Sequence, residues 1–185
     1  MKLNLYNYVG KDKNKPMLHG VFHEEGYQVV TDGSIMVRIK SDYPDAYEMK
    51  VVGKKGEIIS ESYANYKAVI RCHLSKDLDK YPLESDFLQS LKSDFKEWKK
   101  QKGVTKREVY GSYTFENGAI VEIGKFILFL EAAKALGATE LLVLSGDFNM
   151  VGATTEEGVA LLAGLAKVPE NDNVTEFFNV SYLYM

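Results

Sequence analysis

The first third of the chain is patterned as a meander of strands, because short apolar runs alternate with polar positions and turn residues. Glu24, Glu25 and Gly26 mark the tightest of these turns. The extended segments predicted here are Lys2 to Tyr8 as an outer strand, Leu18 to Phe22, Tyr27 to Val30, Ile35 to Ile39, a hairpin of Val51 and Val52 with Ile58 and Ile59, and Tyr63 to Ile70. Leu74 to Pro82 reads as a linker between two halves of the chain.

Helical periodicity appears only in the second half. One helix is predicted between an N-cap at Ser85 and a stop at Gly103. Its apolar residues recur at helical spacing, namely Phe87, Leu88, Leu91, Phe95 and Trp98. A second helix is predicted from Lys125 to Leu136 and ends at Gly137, and its apolar content indicates deep burial.

Strand patterns surround the second helix, and Asn117 with Gly118 is a strong turn pair between two of them. The predicted strands are Tyr113 to Phe115, Ala119 to Ile123, Leu141 to Leu144, Met150 to Ala153 and Val159 to Leu165, and the apolar tail Phe177 to Met185 is a last strand or a docking segment. Strands and helices do not alternate one by one as in a doubly wound fold. This order favours an α+β domain with antiparallel sheets.

Composition narrows the class of protein. With 185 residues, of which 45% are hydrophobic, the chain is expected to fold on its own as one domain or two small ones. Its apolar runs fall far short of the ~20 residues that span a bilayer. Cys72 is the single cysteine, which excludes an internal disulfide and leaves too few thiolates for a zinc site. We therefore expect a cytoplasmic protein with no membrane association and no metal or other cofactor.

Positive charge is concentrated in one segment of a chain whose net charge is −3. Residues 92–107 include seven basic and two acidic residues, which gives this segment a local charge of +5. The basic residues, which we call the lysine patch, are Lys92, Lys96, Lys99, Lys100, Lys102, Lys106 and Arg107. On a helix the first four form one stripe, and this stripe is either a solvated helix face or a surface that contacts DNA.

Residues with catalytic or ligating chemistry do not form a recognisable constellation. His19 and His23 are predicted on a strand, where residues four apart lie about 13 Å from each other, so they do not suit one metal ion. Cys72 and His73 are neighbours in sequence, which does not build a thiolate–imidazolium couple. Without a nucleophile, a base and an orienting group, the sequence indicates a protein that is not an enzyme.

Three blocks, in this order, resemble bacterial DNA sliding clamps, the DNA polymerase III beta subunit family. The first is Leu18 to Lys40, where a Leu-x-Gly-Val strand leads into Thr31-Asp32-Gly33 and a polar-x-apolar strand. The second, Tyr63 to Ile70, is similar to the family's Phe-Pro-Asp-Tyr-Arg-Arg-Val-Leu run. The third is Ala119 to Leu136 with the strands up to Leu165.

The resemblance implies a single clamp-like domain over residues 1–185, made of two similar halves that each combine an antiparallel sheet with one helix. The first half would span about residues 1–80 and the second about 85–168, followed by a C-terminal extension over 169–185. In this family, helices line the hole of a ring and carry Lys and Arg that meet phosphates without reading sequence. A chain of this length would need several copies to form such a ring.

The resemblance also implies an apolar pocket that holds short peptides of polymerases and repair proteins. Carried over by position, the residues that would line it are Thr31, Gly33, Ser34, Ile35, Met36 and Val69. Ser34 and Ile35 stand where the family has His and Arg, and Ala64 stands where it has Pro. Taken alone, a Thr-Asp-Gly sequence is ordinary turn chemistry, since Asp and Gly favour the backbone conformations of turns.

These observations lead to one main hypothesis and one rival. The main hypothesis is a non-catalytic, clamp-like module that resembles a processivity factor, binds duplex DNA without sequence readout, holds a peptide of a replication or repair protein and forms homo-oligomers. The rival is a protein-interaction or structural domain that has the same fold and does not touch DNA.

Overall fold

The computed structural model describes residues 3–102, 111–146, 148–165 and 178–181. Strands dominate these ranges. They are β1 (Val21–Glu24), β2 (Tyr27–Thr31), β3 (Ile35–Lys40), β4 (Val51–Val52), β5 (Ile58–Ser60), β6 (Asp79–Pro82), β7 (Gly111–Thr114), β8 (Ile120–Glu122), β9 (Glu140–Leu144), β10 (Met150–Thr155), β11 (Gly158–Ala163) and β12 (Phe178–Ser181). The α-helices are α1 (Tyr66–Leu74), α2 (Phe87–Lys102) and α3 (Ile123–Ala135), and 3-10 helices cover Leu5–Asn7, Pro16–Leu18 and Asp45–Tyr47.

One sheet of nine strands, in the order β5-β4-β1-β2-β3-β11-β10-β9-β6, organises the fold. Every neighbouring pair in it is antiparallel. A second sheet has the order β12-β7-β8, in which β12 runs parallel to β7. The structure thus confirms the predicted α+β class, with antiparallel pairing throughout the large sheet.

The large sheet has an internal similarity in its strand order. A meander of β1, β2 and β3 meets a meander of β9, β10 and β11 where β3 pairs with β11. Each meander has one further antiparallel neighbour, β4 beside β1 and β6 beside β9. Two similar groups of strands therefore join into one continuous sheet.

Strand alternation gives the large sheet two buried faces. Along β3, Ile35 and Val37 belong to the larger core, whereas Met36 belongs to the smaller one. The larger core includes the apolar residues of α2 and α3, so we call this side the helix face. The smaller core includes Tyr66 and, at its margin, Ile70, both on α1, so we call this side the α1 face.

Three predictions about local structure are wrong. Leu3 to Tyr8 does not form the outer strand predicted from Lys2, which itself lies outside the described residues, because Asn4 caps a 3-10 helix at Leu5–Asn7. Tyr63 to Ile70 is not extended, because the side chain of Asn65 accepts a hydrogen bond from Ala68 N and begins α1. Leu74 to Pro82 is more than a linker, because its last residues form β6 against β9.

Other predicted elements are confirmed. α2 covers most of the range predicted for it, and its predicted stop at Gly103 lies outside the described residues. α3 ends next to Gly137, whose φ of 73° is the left-handed conformation that glycine adopts readily. The apolar tail contributes β12, so the interpretation as a last strand is confirmed for Phe178–Ser181. In the described ranges, we find no helix whose length and apolar character would let it cross a membrane.

Candidate functional site

A groove of about 580 Å³ lies between α1 and the sheet on the α1 face. The structure places all six residues predicted for a peptide pocket in its lining. The full lining, which defines the α1 groove, is Lys15, Met17, Leu18, Thr31, Gly33, Ser34, Ile35, Met36, Tyr63, Ala64, Asn65, Tyr66, Val69, Phe148, Met150, Leu161 and Ala163. The lining is mainly apolar, as is usual for ligand-binding sites.

Strand pairing brings the two meanders together in the floor of the groove. Met36 on β3 lies opposite Leu161 on β11, and Ala163 on β11 lies opposite Met150 on β10. Val69 on α1 contributes from the opposite wall. Sequence reasoning missed Phe148, Met150 and Leu161. Met150 and Leu161 were missed because they join the site only when β3 pairs with β11.

Apolar side chains of the groove remain open to solvent. Phe148 is 73% exposed and Val69 is 42% exposed. Large side chains with this exposure gain free energy when a partner covers them, at roughly 25 cal/mol for each Å² of apolar surface buried. An apolar segment that covered these side chains would therefore be stabilised.

The Thr31-Asp32-Gly33 turn shapes one edge of the groove. Asp32 Oδ1 accepts hydrogen bonds from the backbone N–H of Ser34 at 2.8 Å and of Ile35 at 2.9 Å. The second carboxylate oxygen forms an ion pair with Lys125 at the start of α3. Partial burial opposes ionisation of Asp32, but Lys125 and these hydrogen bonds outweigh it and lower its pKa. The motif is thus both a turn and a groove wall.

α1 is held against the sheet by two further contacts. His73 is buried, and its imidazole lies against Gly152 on β10, where a Cβ atom would overlap the ring. Burial lowers the pKa of His73. At the other end of α1, Glu24 accepts a hydrogen bond from the Tyr66 hydroxyl and lies 3.0 Å from Lys67 Nζ.

The lysine patch is divided among different environments. Lys92 Nζ lies 2.5 Å from Glu131 Oε1 on α3, so this lysine links the two helices. The ammonium group of Lys99 lies 4.5 Å from the centroid of the Phe95 ring. Lys96 and Lys100 are exposed on α2. The backbone of Lys102 ends α2, whereas Lys106 and Arg107 lie outside the described residues.

The three histidines do not share a site. His23 is buried beside the Tyr43 ring, with its Nε2 3.1 Å from Gln28 Nε2 and its Nδ1 3.3 Å from the Lys50 carbonyl oxygen. His19 Nε2 instead lies 2.8 Å from the backbone oxygen of Asp12. Over the described ranges, no three side chains of metal-ligating type lie close enough to hold an ion.

Comparison with known proteins supports the fold. No protein-family model matches the sequence, and no curated protein matches it. Among solved structures, the chain is similar to the DnaN sliding clamp, DNA polymerase III subunit beta, of Bartonella birtlesii bound to griselimycin. The TM-score is 0.59 with 13% sequence identity, over 86% of this chain and 61% of the clamp. The chain has a sliding-clamp-like fold, and it matches less than two thirds of the clamp's length.

Proposed function

We propose that the protein is a non-catalytic, clamp-like scaffold whose α1 groove binds a short apolar peptide of a replication or repair protein. The observation that carries this proposal is the convergence of Thr31, Gly33, Ser34, Ile35, Met36 and Val69 on one apolar groove. The clamp-like fold supports a role as a clamp or scaffold.

The chemistry of the groove suits the apolar side chains of a short peptide. Its volume of about 580 Å³ lies within the range of about 300–1,000 Å³ that is usual for ligand sites, so it leaves room for such side chains. Tyr63 and Tyr66 supply aromatic surface next to aliphatic side chains. The chain's own tail is engaged elsewhere over Phe178–Ser181, which pairs with β7. We therefore assign the groove to a segment of another protein.

An array of octapeptides with adjacent aliphatic and aromatic residues tests this function. Fluorescence anisotropy would then compare the best binder on two variants of α1, Val69→Glu in the groove and Leu74→Glu outside it. Leu74 is a matched control for Val69, because Val69 is 42% exposed and Leu74 is 43% exposed. We expect Val69→Glu alone to weaken binding, by about tenfold or more. Equal effects of both variants, or an array without binders, would contradict the proposal.

We further propose that the scaffold contacts duplex DNA through Lys96 and Lys100. Both side chains are exposed, on the helix that also packs its apolar residues into the core of the helix face. Ammonium groups on flexible stems attract phosphates without fixing a register, and this interaction weakens steeply with salt. Several copies of the chain would be needed to enclose a duplex.

The rival function is a protein-interaction domain that does not bind DNA. It is favoured by the contacts of Lys92 with Glu131 and of Lys99 with Phe95, which engage half of the stripe within the protein. Under this function, the exposed lysines serve only as a solvated face.

Anisotropy with a labelled duplex separates the two functions. The variant Lys96→Glu/Lys100→Glu reverses two charges on α2, and Lys54→Glu/Lys55→Glu makes the same change in the exposed β4–β5 turn. Contact with DNA predicts that only the first variant weakens binding and reduces the salt slope, by about 2. If the wild-type protein does not bind at about 50 mM salt, the proposed contact with DNA is wrong and the rival function is favoured. Light scattering would report whether copies associate.

A further inference from the structure

The α1 groove has one charged residue in its lining as far as the structure describes it, and that residue is Lys15. Lys15 is exposed, and no described residue forms an ion pair with it. A cation beside an apolar surface attracts a carboxylate more strongly than one in open water, because the local dielectric is lower. The rim of the groove is therefore expected to favour a ligand that carries negative charge beside its apolar groups.

The backbone around Lys15 is held in place by hydrogen bonds. The N–H of Lys15 donates to the Asp12 carbonyl oxygen at 2.9 Å, and its own carbonyl oxygen accepts from Leu18 N at 3.0 Å. Pro16 begins the 3-10 helix that follows and fixes its first turn. Met17 and Leu18 of that helix line the groove themselves. Lys15 is thus presented at the groove by an ordered turn.

Two described carboxylates next to the groove lining, Asp32 and Glu24, are already engaged. Asp32 binds Lys125 and the backbone of Ser34 and Ile35. Glu24, which accepts a hydrogen bond from the groove residue Tyr66, is paired with Lys67. An incoming carboxylate would therefore meet the positive charge of Lys15 with little opposing charge from these two groups.

We infer that the α1 groove selects peptides that carry an Asp or Glu beside their apolar anchors, and that Lys15 pairs with that carboxylate. The inference rests on the proposed peptide binding and names the partner more closely. It assigns to Lys15 a role in specificity, while the apolar wall at Val69 supplies affinity for any suitable peptide.

Three labelled peptides test the inference. They share the sequence of the best binder from the array and differ at one residue beside the apolar anchors, which is Asp, Asn or Lys. Anisotropy at low salt is expected to show the Asp peptide binding about three- to tenfold more tightly than the Lys peptide, with Asn between them. The difference should shrink as salt is raised, because the pair lies at an exposed rim.

Charge reversal at Lys15 gives the decisive result. Lys15→Glu is expected to reverse the order of the three peptides, whereas Lys13→Glu, an exposed neighbour outside the groove lining, should leave it unchanged. Equal affinities for the three peptides, or an unchanged order in Lys15→Glu, would overturn the inference while leaving peptide binding intact. If no peptide binds, or Val69→Glu has no effect, the proposed function itself fails.

Discussion

Folding brings the residues of the α1 groove together, whereas it separates the residues of the lysine patch into different environments. The groove collects residues from separate segments, so that Met17, Met36, Val69 and Leu161 come to line one surface. The patch starts as neighbours on one helix, yet Lys92 and Lys96 end in different environments. Proximity in sequence is thus a weaker guide to a shared surface than a shared face of a sheet.

The difference has a physical cause. Apolar side chains gain free energy from any apolar neighbour, so a pattern that directs them to one face is enough to assemble a surface. A charged side chain is available to a ligand only if no other element supplies its partner. α3 supplies Glu131 to Lys92, whereas no residue in the described part of the chain forms an ion pair with Lys96.

The largest loss of stability is expected from adding a side chain at Gly152, where α1 packs against the sheet. Gly152→Val would place atoms where the His73 ring lies, and overpacking of this kind costs about 1–3 kcal/mol. Urea denaturation should show this loss, and peptide binding should weaken more than any binding of duplex DNA. A second change, His73→Ala, should recover part of the stability in the double variant. Additive losses would show that the two residues are not in contact.

Removal of the Asp32 carboxylate should destabilise the edge of the groove. Asp32→Ala loses the acceptor of two backbone N–H groups and the partner of Lys125, so we expect a loss of about 2 kcal/mol in unfolding free energy. Asp32→Asn keeps an acceptor oxygen and should lose less. If the two variants are equally unstable, the hydrogen bonds to the turn contribute little.

A smaller effect is expected at the divided patch. Lys92→Met keeps the apolar stem and removes the ion pair with Glu131, which is partly exposed, so the cost should be about 0.5–1 kcal/mol. Lys96→Met should leave stability unchanged and weaken duplex binding if DNA is bound. Thermal or urea unfolding of both variants checks the contrast, and equal stability losses would contradict the division of the patch.

The smallest effect concerns pH. Burial lowers the pKa of both His23 and His73 below the unfolded value of about 6.5. The unfolded chain then takes up protons that the folded chain does not, so stability is complete above about pH 6.5 and falls as the pH falls toward the lowered pKa values. Urea midpoints between about pH 7.5 and 5.5 should show this, with a shallower slope in His73→Gln. An unchanged slope would mean that His73 does not contribute.

Long, strongly periodic segments were predictable. α2 and α3 follow from apolar residues at helical spacing, and the β7–β8 hairpin follows from Asn117 and Gly118. Short segments were not, since the alternation of Lys2 to Tyr8 also places Leu5 and Tyr8 three apart, where both are buried. α1 was missed for a related reason. Its β-branched and aromatic residues suit a strand, and only the Asn65 cap and the packing of Tyr66 and His73 favour the helix.

The sequence by itself determined the α+β class and most of the strands, and its resemblance to sliding clamps pointed to six residues that line the groove. Tertiary structure alone decided that β3 pairs with β11, because strand partners far apart in the chain are chosen by burial of whole faces. It also decided that Lys92 is paired and that Phe148 and Leu161 complete the groove. Local pattern specifies which side of an element is apolar or charged, and only packing specifies what lies opposite.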